Sequence, residues 1–410
     1  MATERLYYAD CYLREFEARV VAAEPAPGGF RVYLDRSAFY PESGGQPSDR
    51  GALGGIPVLD VVDEGDRLAH LLNRQPESET VKGEIDWRRR FDHMQQHTGQ
   101  HALSAAFEKA GGLKTVSFHL GAETSTIDLD SDRVGRRQIE EAEELANGVV
   151  FEDREVRILF RGAGEANRMD LRKPTEREGD VRLIEIEGFD LSACGGTHVK
   201  RTGEIGTIAA RRIELVKGNT RVEFVCGYRA LRSARRDFLN LSEAGRLLSG
   251  AADQVPVLAA KQSQELRAAV RAREKLAGRV AEYRVAELLF TVPLRNGRRV
   301  VRHVFSAEDL LEAKMIAHAV ARQPSAVALV AVKGTQGAKA QDVKAQGVKG
   351  SSTALFFAQS AGGTADMSAL LRQTVATFGG KGGGTRDFAQ GGGVAEEKLE
   401  EALALAESLL

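Results

Sequence analysis

Short, largely apolar segments separated by Gly, Pro and Asp dominate the first 85 positions of the chain. Residues 16–22, 30–34 and 58–62 are such segments, and their length and spacing are typical of β-strands. Between the second and the third lies the sequence FYPESGGQP, whose glycines and prolines indicate a loop. The pattern predicts a β-rich lobe with a Gly-rich loop over residues 1–85.

Helical and strand-like patterns alternate over residues 86–230. Residues 91–110 have a helix-forming composition without proline, and residues 133–146 have the pattern of a charged amphipathic helix. Residues 115–130 alternate and are rich in β-branched side chains, which predicts a hairpin or strand pair. Further strands are predicted at residues 155–160, 181–186 and 205–213.

A helical pattern covers residues 231–287, and Pro256 marks a break between two helices. An apolar row with three- and four-residue steps runs along the second helix, although Arg273 interrupts it. The row consists of Leu266, Ala269, Leu276, Val280 and Tyr283. The pattern favours an antiparallel helical hairpin or a short coiled coil.

Strands and helices alternate again over residues 288–410, which predicts a small α/β domain. Strands are predicted at residues 300–305, 326–332 and 354–358, helices at 308–322 and 367–378, a mobile loop at 333–350 and a Gly-rich loop at 379–393. We therefore expect an α+β protein. Its four predicted parts are a β-rich lobe (1–85), a metal-binding domain (86–230), a helical linker (231–287) and an α/β domain (288–410).

Composition limits the kinds of protein that this chain can be. The 410 residues carry a net charge of −1, and the apolar stretches are short and interrupted by charges, so no membrane span is expected. Cys11, Cys194 and Cys226 are an odd and sparse set, which argues against a disulfide framework and for the reducing cytoplasm. Because there is no basic excess, contacts with nucleic acid would have to use local basic clusters.

Two short motifs, HxxxH and CxxxH, predict a metal site. His93 and His97 are four residues apart on a predicted helix, so their imidazoles lie about 40° apart on one face. Cys194 and His198 enclose two glycines that let the chain curl and bring thiolate and imidazole together. Together, His93, His97, His198 and Cys194 offer three nitrogen ligands and one sulfur ligand. This set favours a tetrahedral zinc ion.

His101 extends the histidine row to HxxxHxxxH. It lies about 80° around the helix from the first histidine, so we expect it to support or pack against the site rather than bind the metal. Spacing alone leaves two interpretations open, a catalytic zinc site and a closed structural site that joins two segments. Four protein ligands favour the closed site, because a catalytic zinc normally keeps an open position.

Three segments, HMQQHTGQHALSAAF, SACGGTHV and FYPESGGQPSDRG, resemble the editing domain of alanyl-tRNA synthetases and of the stand-alone AlaX-type editing proteins. Near the C-terminus, GGKGGGTRDFAQGGG resembles the Gly-rich motif of the DHH-associated domain of those synthetases. The resemblance covers nearly the whole chain and is greatest to the long stand-alone form. The aminoacylation domain of the synthetases has no counterpart in the chain, so adenylate chemistry is not expected.

This resemblance implies one zinc ion per chain, held by His93, His97, Cys194 and His198, and hydrolysis of mischarged Ser-tRNA(Ala), with Gly-tRNA(Ala) as a further candidate. Because a thiolate ligand weakens the metal as a Lewis acid, we expect zinc to position substrate and water. The residues implied to act on the substrate are Gln96, Thr115, Ser117, Gly44 and Gly45. Backbone N–H groups of residues 43–45 are candidate donors to the developing oxyanion.

Two basic clusters beside the motifs are candidates for contacts with tRNA. They are Arg88, Arg89 and Arg90, and then Lys200, Arg201, Arg211, Arg212, Lys217 and Arg221. The alternative is an ordinary solvated surface. Lys381 and Arg386, in the C-terminal Gly-rich loop, either hold the tRNA body or belong to a homodimer interface in the C-terminal half.

Two other functions stay open. One is a zinc-stapled tRNA-binding or dimerisation module without hydrolysis, and the other is a deacylase for a different mischarged tRNA. For the editing function, the polarity of serine predicts a small polar pocket. A site that hydrogen-bonds the seryl hydroxyl discriminates strongly against alanine.

Overall fold

The computed structural model describes residues 2–176, 178–306, 310–334 and 353–410 of the chain. It separates into two compact units, Met1–Leu247 and Leu248–Leu410. Both mix helices and strands, which confirms the predicted α+β class. The loop predicted at residues 333–350 lies, apart from its first two residues, outside the described ranges. The boundaries of the four predicted parts stay a prediction.

A closed six-stranded barrel forms the first part of unit 1. The strands of this part are β1 (Glu4–Arg5), β2 (Glu15–Ala26), β3 (Gly29–Leu34), β4 (Arg36–Ser37), β5 (Gly51–Leu53), β6 (Ile56–Asp63), β7 (Leu68–Leu72) and β8 (Thr80–Ile85). Around the barrel their order is β2, β3, β7, β6, β5 and β8, with every neighbouring pair antiparallel. The three strands predicted in this region lie within β2, β3 and β6.

Alternating burial along the strands fills the barrel with side chains. Phe16 and Ala18 on β2 are buried between exposed neighbours, as are Val81 and Gly83 on β8. Gly83 is required because a Cβ there would come within 2.3 Å of Phe16 Cε1. The loop between β4 and β5, residues 38–50, carries the Gly-rich sequence out of this barrel.

The second part of unit 1 contains two antiparallel sheets, ordered β14-β15-β10-β9 and β11-β12-β13. Its elements are α1 (Trp87–Gly111), β9 (Thr115–Leu120), β10 (Ser125–Leu129), α2 (Arg136–Phe151), β11 (Val156–Gly162), α3 (Ala163–Ala166), β12 (Asp180–Ile186), β13 (Asp190–Ala193), β14 (Ile208–Val216), β15 (Asn219–Cys226) and α4 (Gly227–Leu247). The hairpin predicted at residues 115–130 is confirmed as β9 and β10.

Helix α1 is buried on nearly all sides. Its N-cap residue Asp86 accepts a hydrogen bond from the Arg89 N–H, and Gly112 ends it with a φ of 66°, in the left-handed region that favours glycine. Every residue from His93 to Phe107 is buried, including three histidines and three glutamines. Buried polar groups need hydrogen-bond partners, so this helix is a natural support for a polar site.

Arg90 and Asp49 form a fully buried ion pair that joins α1 to the loop before β5. Arg90 Nε lies 3.0 Å from both carboxylate oxygens, while its terminal nitrogens donate to the carbonyl oxygens of Cys11 at 2.8 Å and Ala38 at 2.6 Å. Asp49 also accepts a hydrogen bond of 2.6 Å from the Tyr40 N–H. The prediction that Arg90 contacts tRNA is therefore wrong, since its guanidinium is enclosed by protein partners.

Unit 2 is built on a five-stranded sheet ordered β16-β17-β18-β20-β19, in which β16 and β17 are parallel and the other pairs antiparallel. The elements are α5 (Val255–Thr291), β16 (Arg299–Phe305), α6 (Leu310–Ala321), β17 (Ala326–Val332), β18 (Ala354–Gln359), α7 (Met367–Thr377), β19 (Lys381–Gly384), β20 (Phe388–Gly392) and α8 (Leu399–Ser408). Every residue of β17 is buried, and alternate residues join two different apolar clusters, so the sheet is covered on both faces. This confirms the buried strand predicted at residues 326–332.

The predicted break at Pro256 is confirmed, because α4 ends at Leu247 and Pro256 lies in the first turn of α5. Of the apolar row on α5, Leu266 and Tyr283 are exposed. A coiled coil or dimer through this part of the chain therefore stays a prediction. No helix of the described ranges is long and apolar enough to cross a membrane.

We expect Arg90→Ala to destabilise the protein by about 3–5 kcal/mol, because the substitution leaves the Asp49 carboxylate buried without its partner. Arg136→Ala is the control, since Arg136 forms an exposed ion pair with Glu140 and such pairs contribute about 0.5 kcal/mol or less. Denaturant unfolding of the full chain measures both. Equal losses in the two variants would contradict the structural role of the buried pair.

Candidate metal centre

Four potential metal-binding side chains converge in unit 1: His97, His101, Cys194 and His198. His97 and His101 project from α1, and Cys194 and His198 lie in the segment that follows β13. One donor atom from each lies within 4.8 Å of all the others. Cys194 Sγ is 3.4 Å from His97 Nε2 and 3.3 Å from His198 Nε2. These separations are close to the roughly 3.6 Å between sulfur and nitrogen ligands of a tetrahedral zinc ion.

The structure corrects one member of the predicted ligand set. His101 lies in the cluster, whereas His93 lies outside it and lines a different cavity. The two candidate pairs, His93 with His97 and His97 with His101, have the same spacing and the same 40° offset around the helix. Spacing therefore cannot choose between them, and the choice depends on which face of α1 meets the cysteine segment.

The cysteine segment is held in place by buried Arg182 on β12. Its Nη1 donates to the carbonyl oxygens of Cys194 at 2.8 Å and of Gly196 at 2.9 Å, and its Nε donates to the carbonyl of Tyr8. Gly196 packs directly on His97, since a Cβ there would come within 2.2 Å of the imidazole. The second glycine of the CGGTH motif thus lets the cysteine segment approach the helix.

Two of the three imidazoles have their Nδ1 atom held by an acceptor. Gln46 Oε1 accepts from the Thr197 N–H at 3.1 Å, so it is an acceptor, and it lies 2.8 Å from His97 Nδ1. His101 Nδ1 lies 3.0 Å from a carboxylate oxygen of Asp190. Both contacts place a proton on Nδ1 and direct Nε2 toward the centre, as is usual for metal-binding histidines.

His198 is held in the same way by Thr98. The Thr98 hydroxyl donates to the Met94 carbonyl at 2.9 Å, so its oxygen can accept from His198 Nδ1 at 3.2 Å. Its Nε2 is the atom that faces Cys194. The three histidines therefore present three Nε2 atoms, each fixed by a different part of the fold.

Electrostatics favour a thiolate at Cys194. Burial alone would raise the pKa of this thiol, but His97, His198 and a hydrogen bond from His101 outweigh burial and hold the pKa well below its usual value. Burial lowers the pKa of His198 to about 3, whereas for His101 the bonds to Asp190 and Cys194 overcome burial and raise the pKa to about 9. The donor set thus combines a thiolate with imidazoles, which is compatible with a metal site, and a cation would displace the proton held between Cys194 and His101.

A cavity of about 580 Å³ is lined by three of the four donors, His97, His101 and Cys194. Among the residues that line it are Tyr40, Gly44, Gln100, Thr115, Ser117 and Lys173. Gln100 is buried, and its Oε1 has no hydrogen-bond partner among the described residues, while its Nε2 donates to Ser104. Sequence reasoning missed Gln100, although its place directly before His101 makes it a neighbour of the metal centre.

The Gly-rich loop reaches this cavity through a tight turn. The Ser43 N–H donates to the Gln46 carbonyl at 3.1 Å, and the Gln46 N–H donates back to Ser43 at 2.9 Å. Gly44 and Gly45, between them, have φ values of 53° and 80°, which glycine adopts without strain. The Ser43 N–H is therefore engaged and is not a free oxyanion donor, contrary to prediction. Gly44 lines the cavity, and Gly45 packs on Phe118.

Gln96, a predicted substrate contact, is instead part of the internal framework. Its Nε2 donates to the Cys226 carbonyl at 3.1 Å, and its Oε1 accepts from the Cys226 N–H at 2.8 Å. It is fully buried and joins α1 to the end of β15. This placement is the physical reason why Gln96 cannot serve a seryl hydroxyl.

Several of the predicted tRNA contacts lie on the surface but already have acidic neighbours. The pairs are Lys200 with Asp10, Arg201 with Asp153, Arg211 with Asp237 and Arg212 with Glu214. Arg88 is exposed without an ion-pair partner among the described residues, while Arg89 donates to the Ser48 carbonyl. Lys381 and Arg386 are exposed in unit 2. Their roles in binding tRNA stay predictions.

Comparisons with known proteins find two family models and several relatives. The family described as threonyl and alanyl tRNA synthetase second additional domain matches residues 181–223, which include Cys194 and His198, and the DHHA1 domain matches residues 305–410. Alanyl-tRNA editing protein AlaX-L of Pyrococcus horikoshii is 32% identical over 406 residues, 95% of this chain and 94% of that protein.

Two further relatives match different shares of the chain. Alanyl-tRNA editing protein AlaX-M of Methanosarcina mazei is 38% identical over 245 residues, 54% of this chain and 96% of that protein. An alanine–tRNA ligase of Pyrococcus abyssi is 31% identical over 420 residues, which cover 98% of this chain but only 43% of the ligase. The similarity to AlaX-L therefore extends over nearly the whole of both chains.

We expect His101→Ala to lower zinc affinity by roughly 100-fold or more, because it removes a ligand from a four-donor site. His93→Ala is the matched control on the same helix and should keep about one zinc ion per chain. Asp190→Asn should weaken affinity by roughly 10–100-fold through the orientation of His101. Competition with a chromophoric chelator measures all three. Loss of zinc in His93→Ala with retention in His101→Ala would restore the ligand set predicted from sequence.

Proposed function

The chain belongs to the family of AlaX-type alanyl-tRNA editing proteins, and we propose that it hydrolyses the ester of mischarged tRNA(Ala), with Ser-tRNA(Ala) as its main substrate. The observation that carries this proposal is the convergence of His97, His101, Cys194 and His198 beside a polar cavity. Relatives named as alanyl-tRNA editing proteins support the reaction class. The proposed products are the free amino acid and tRNA.

Zinc is the proposed cofactor, since three imidazole nitrogens and a thiolate suit its tetrahedral preference. When bound, it would supply a positive charge that orients and polarises the amino-acid ester. Gln46, Thr98 and Asp190 hold the imidazoles that would bind it. Imidazoles held in this way would fix the position of a bound metal, and a fixed charge lowers a barrier more effectively than a mobile one.

The remaining chemistry is assigned to polar groups of the cavity wall. The N–H of Gly44, on a loop fixed by the turn at Ser43 and Gln46, is the proposed donor to the developing oxyanion. The Thr115 and Ser117 hydroxyls donate to Ser104 and Asp128, so their oxygens are left as acceptors toward the substrate.

Discrimination of serine from alanine is assigned to Gln100. Its Oε1 is an acceptor in a buried wall of the cavity, without a partner among the described residues, and a seryl hydroxyl would satisfy it. An alanyl group would leave the same oxygen unpaired, which costs free energy in a buried site. Serine is therefore favoured over alanine, the amino acid that must be spared.

At the cavity rim, Lys173 is the proposed contact for the phosphate of the terminal nucleotide. It is exposed and has no ion-pair partner in the described part of the chain, whereas Arg172 beside it is bound to Asp190. An unpaired cation is free to neutralise phosphate. The surface pairs around Arg201 and Arg211 would first have to be broken.

A panel of tRNAs charged with Ser, Gly, Ala and Thr tests the function. We expect Ser-tRNA(Ala) to be deacylated roughly 100-fold or more faster than Ala-tRNA(Ala), because the cavity hydrogen-bonds a hydroxyl. The His101→Ala variant is the negative control, and chelation followed by zinc addition should abolish and then restore the activity. Preference for threonine would favour the deacylase of another tRNA, and absence of hydrolysis with tight tRNA binding would favour the zinc-stapled module.

Gln100→Leu tests the discrimination. We expect kcat/KM for Ser-tRNA(Ala) to fall by roughly 10-fold or more, with a smaller change for Ala-tRNA(Ala), since both substrates experience the loss of the hydrogen bond to Ser104 but only the seryl group loses its hydroxyl contact. Gln100→Glu keeps an acceptor and should retain the preference for serine. Parallel losses on both substrates in Gln100→Leu would show that Gln100 supports the fold of the site and does not select serine.

A further inference from the structure

A second cavity, of about 780 Å³, lies on unit 1 at the N-terminal end of α1. Its lining includes Trp87, Arg88 and His93 from the first two turns of α1, and Tyr228 and Arg232 from α4. None of these residues is among the four donors of the metal centre or the lining of the first cavity. The proposed hydrolysis leaves this second cavity without a role.

The cavity is positively charged. Arg88, Arg89, Arg229 and Arg232 line it, against two acids, Asp86 and Asp92. Both acids are engaged, Asp86 as the N-cap of α1 and Asp92 in a two-pronged bond with Arg229 and a longer ion pair of 3.9 Å with Arg232. The N-terminus of a long helix adds a partial positive charge at the same place. Arg88 is exposed and without an ion-pair partner among the described residues, so its charge is available to bind an anion.

The walls are rigid and partly aromatic. Arg229, which is buried, binds Asp92 on α1 and the carbonyl of Gly121 at 2.7 Å, so it fixes α4 to both α1 and the β9–β10 turn. The ring of Tyr228 is 61% exposed at the edge of this cavity. A flat exposed ring beside several guanidinium groups is the combination that binds a nucleotide, through its base and its phosphate.

His93 gives independent support for a ligand in this cavity. It lines the cavity and is only 2% exposed, yet its Nδ1 has no hydrogen-bond partner in the described part of the chain. A buried polar atom without a partner costs free energy, which a ligand with a donor or acceptor would recover. Nucleobases and ribose hydroxyls offer both.

We infer that this cavity is a second RNA subsite, in which Arg88 and Arg232 hold a phosphate and Tyr228 stacks on a base of the tRNA substrate. The inference rests on the proposed function for the identity of the RNA. Both cavities share one support: β9 lines the first with Ser117 and Phe118, and the turn after β9 lines the second with Ala122. Phe118 and Ala122 are four residues apart, so their Cα atoms lie at most about 14 Å from each other, a distance that a few nucleotides cover.

A neighbouring cavity extends the basic surface. It shares Ala122, Arg229 and Arg232 with the second cavity and adds Arg236, which also has no ion-pair partner among the described residues. The arginines of these two adjoining cavities, from Arg88 to Arg236, thus outnumber their acids, Asp86, Asp92, Glu123 and Glu223, and form a basic strip on unit 1. A strip suits a polymer with repeated phosphates better than a single small anion.

The test uses the full chain and its only tryptophan, Trp87, which lines the second cavity and reports binding by fluorescence. Uncharged tRNA(Ala) is titrated into the wild type, Arg88→Ala and Tyr228→Ala. We expect each variant to raise Kd by roughly 10-fold, and Arg88→Ala to reduce the salt dependence by about one phosphate contact. Arg133→Ala and Phe151→Ala, exposed residues outside these cavities, are the matched controls and should bind as the wild type does.

Kinetics separate this inference from the proposed function. For Ser-tRNA(Ala), Arg88→Ala and Tyr228→Ala should raise KM with little change in kcat, and hydrolysis of 3′-O-seryl-adenosine, which lacks the rest of the RNA, should be unaffected. Unchanged Kd and KM in both variants would overturn the subsite while leaving the hydrolase intact. Loss of tRNA binding in both variants of a protein that hydrolyses no charged tRNA would uphold the subsite and refute the hydrolase.

Titration with AMP distinguishes a site for a free nucleotide from a site for RNA. We expect AMP to bind roughly 100-fold more weakly than tRNA, because it offers one phosphate to a strip of arginines. AMP that binds as tightly as tRNA, with the same loss in Arg88→Ala, would assign the cavity to a free nucleotide and overturn the RNA subsite.

Discussion

The buried ion pair between Arg90 and Asp49 fixes the relation between the barrel and helix α1 on which the metal centre depends. Asp49 lies in the loop that also carries Gln46, and Gln46 binds both His97 and the segment after Cys194. A shift of that loop by even an ångström would break contacts of about 2.8–3.1 Å. Because either charge alone would be costly in the interior, the pair tolerates few alternative arrangements.

The centre is assembled from parts that are distant in the sequence. His97 is oriented by a loop of the barrel, His101 by Asp190 on β13, and His198 by Thr98 on α1 itself. Each contact is short-ranged, yet most join elements separated by fifty to a hundred positions. The donors can therefore converge only after both parts of unit 1 have folded. Helix α1 can bury so many polar residues because most of them have partners, whereas one atom each of His93, Gln95 and Gln100 has none among the described residues.

Local sequence patterns predicted those secondary-structure elements that depend on neighbouring residues alone. The strands of the barrel, the hairpin at β9 and β10, and the buried strand β17 follow from alternation or from continuous apolar runs, and the helix break follows from Pro256. The motifs also predicted Cys194 and His198 in the cluster. Arg90, Gln96 and His93 were misassigned for one shared reason. A polar residue on a helix shows no sign in the sequence of whether it faces solvent, a neighbouring strand or a ligand, and long-range packing decides.

Packing gives the three histidines of the HxxxHxxxH row different surroundings, and it leaves one of them without a full set of hydrogen-bond partners among the described residues. His97 and His101 each have an acceptor for Nδ1 and a thiolate near Nε2, so their burial is compensated within the protein. His93 is equally buried, but its Nδ1 has no hydrogen-bond partner in the part of the chain that the structure describes. Burial beside Arg89 lowers its pKa to about 4, so near neutral pH it is an uncharged ring that can accept or donate a hydrogen bond. A buried polar atom without a partner costs about 1–3 kcal/mol. An apolar side chain would fill the same space without this cost. A ligand that bonds to Nδ1 therefore explains the histidine better than packing does.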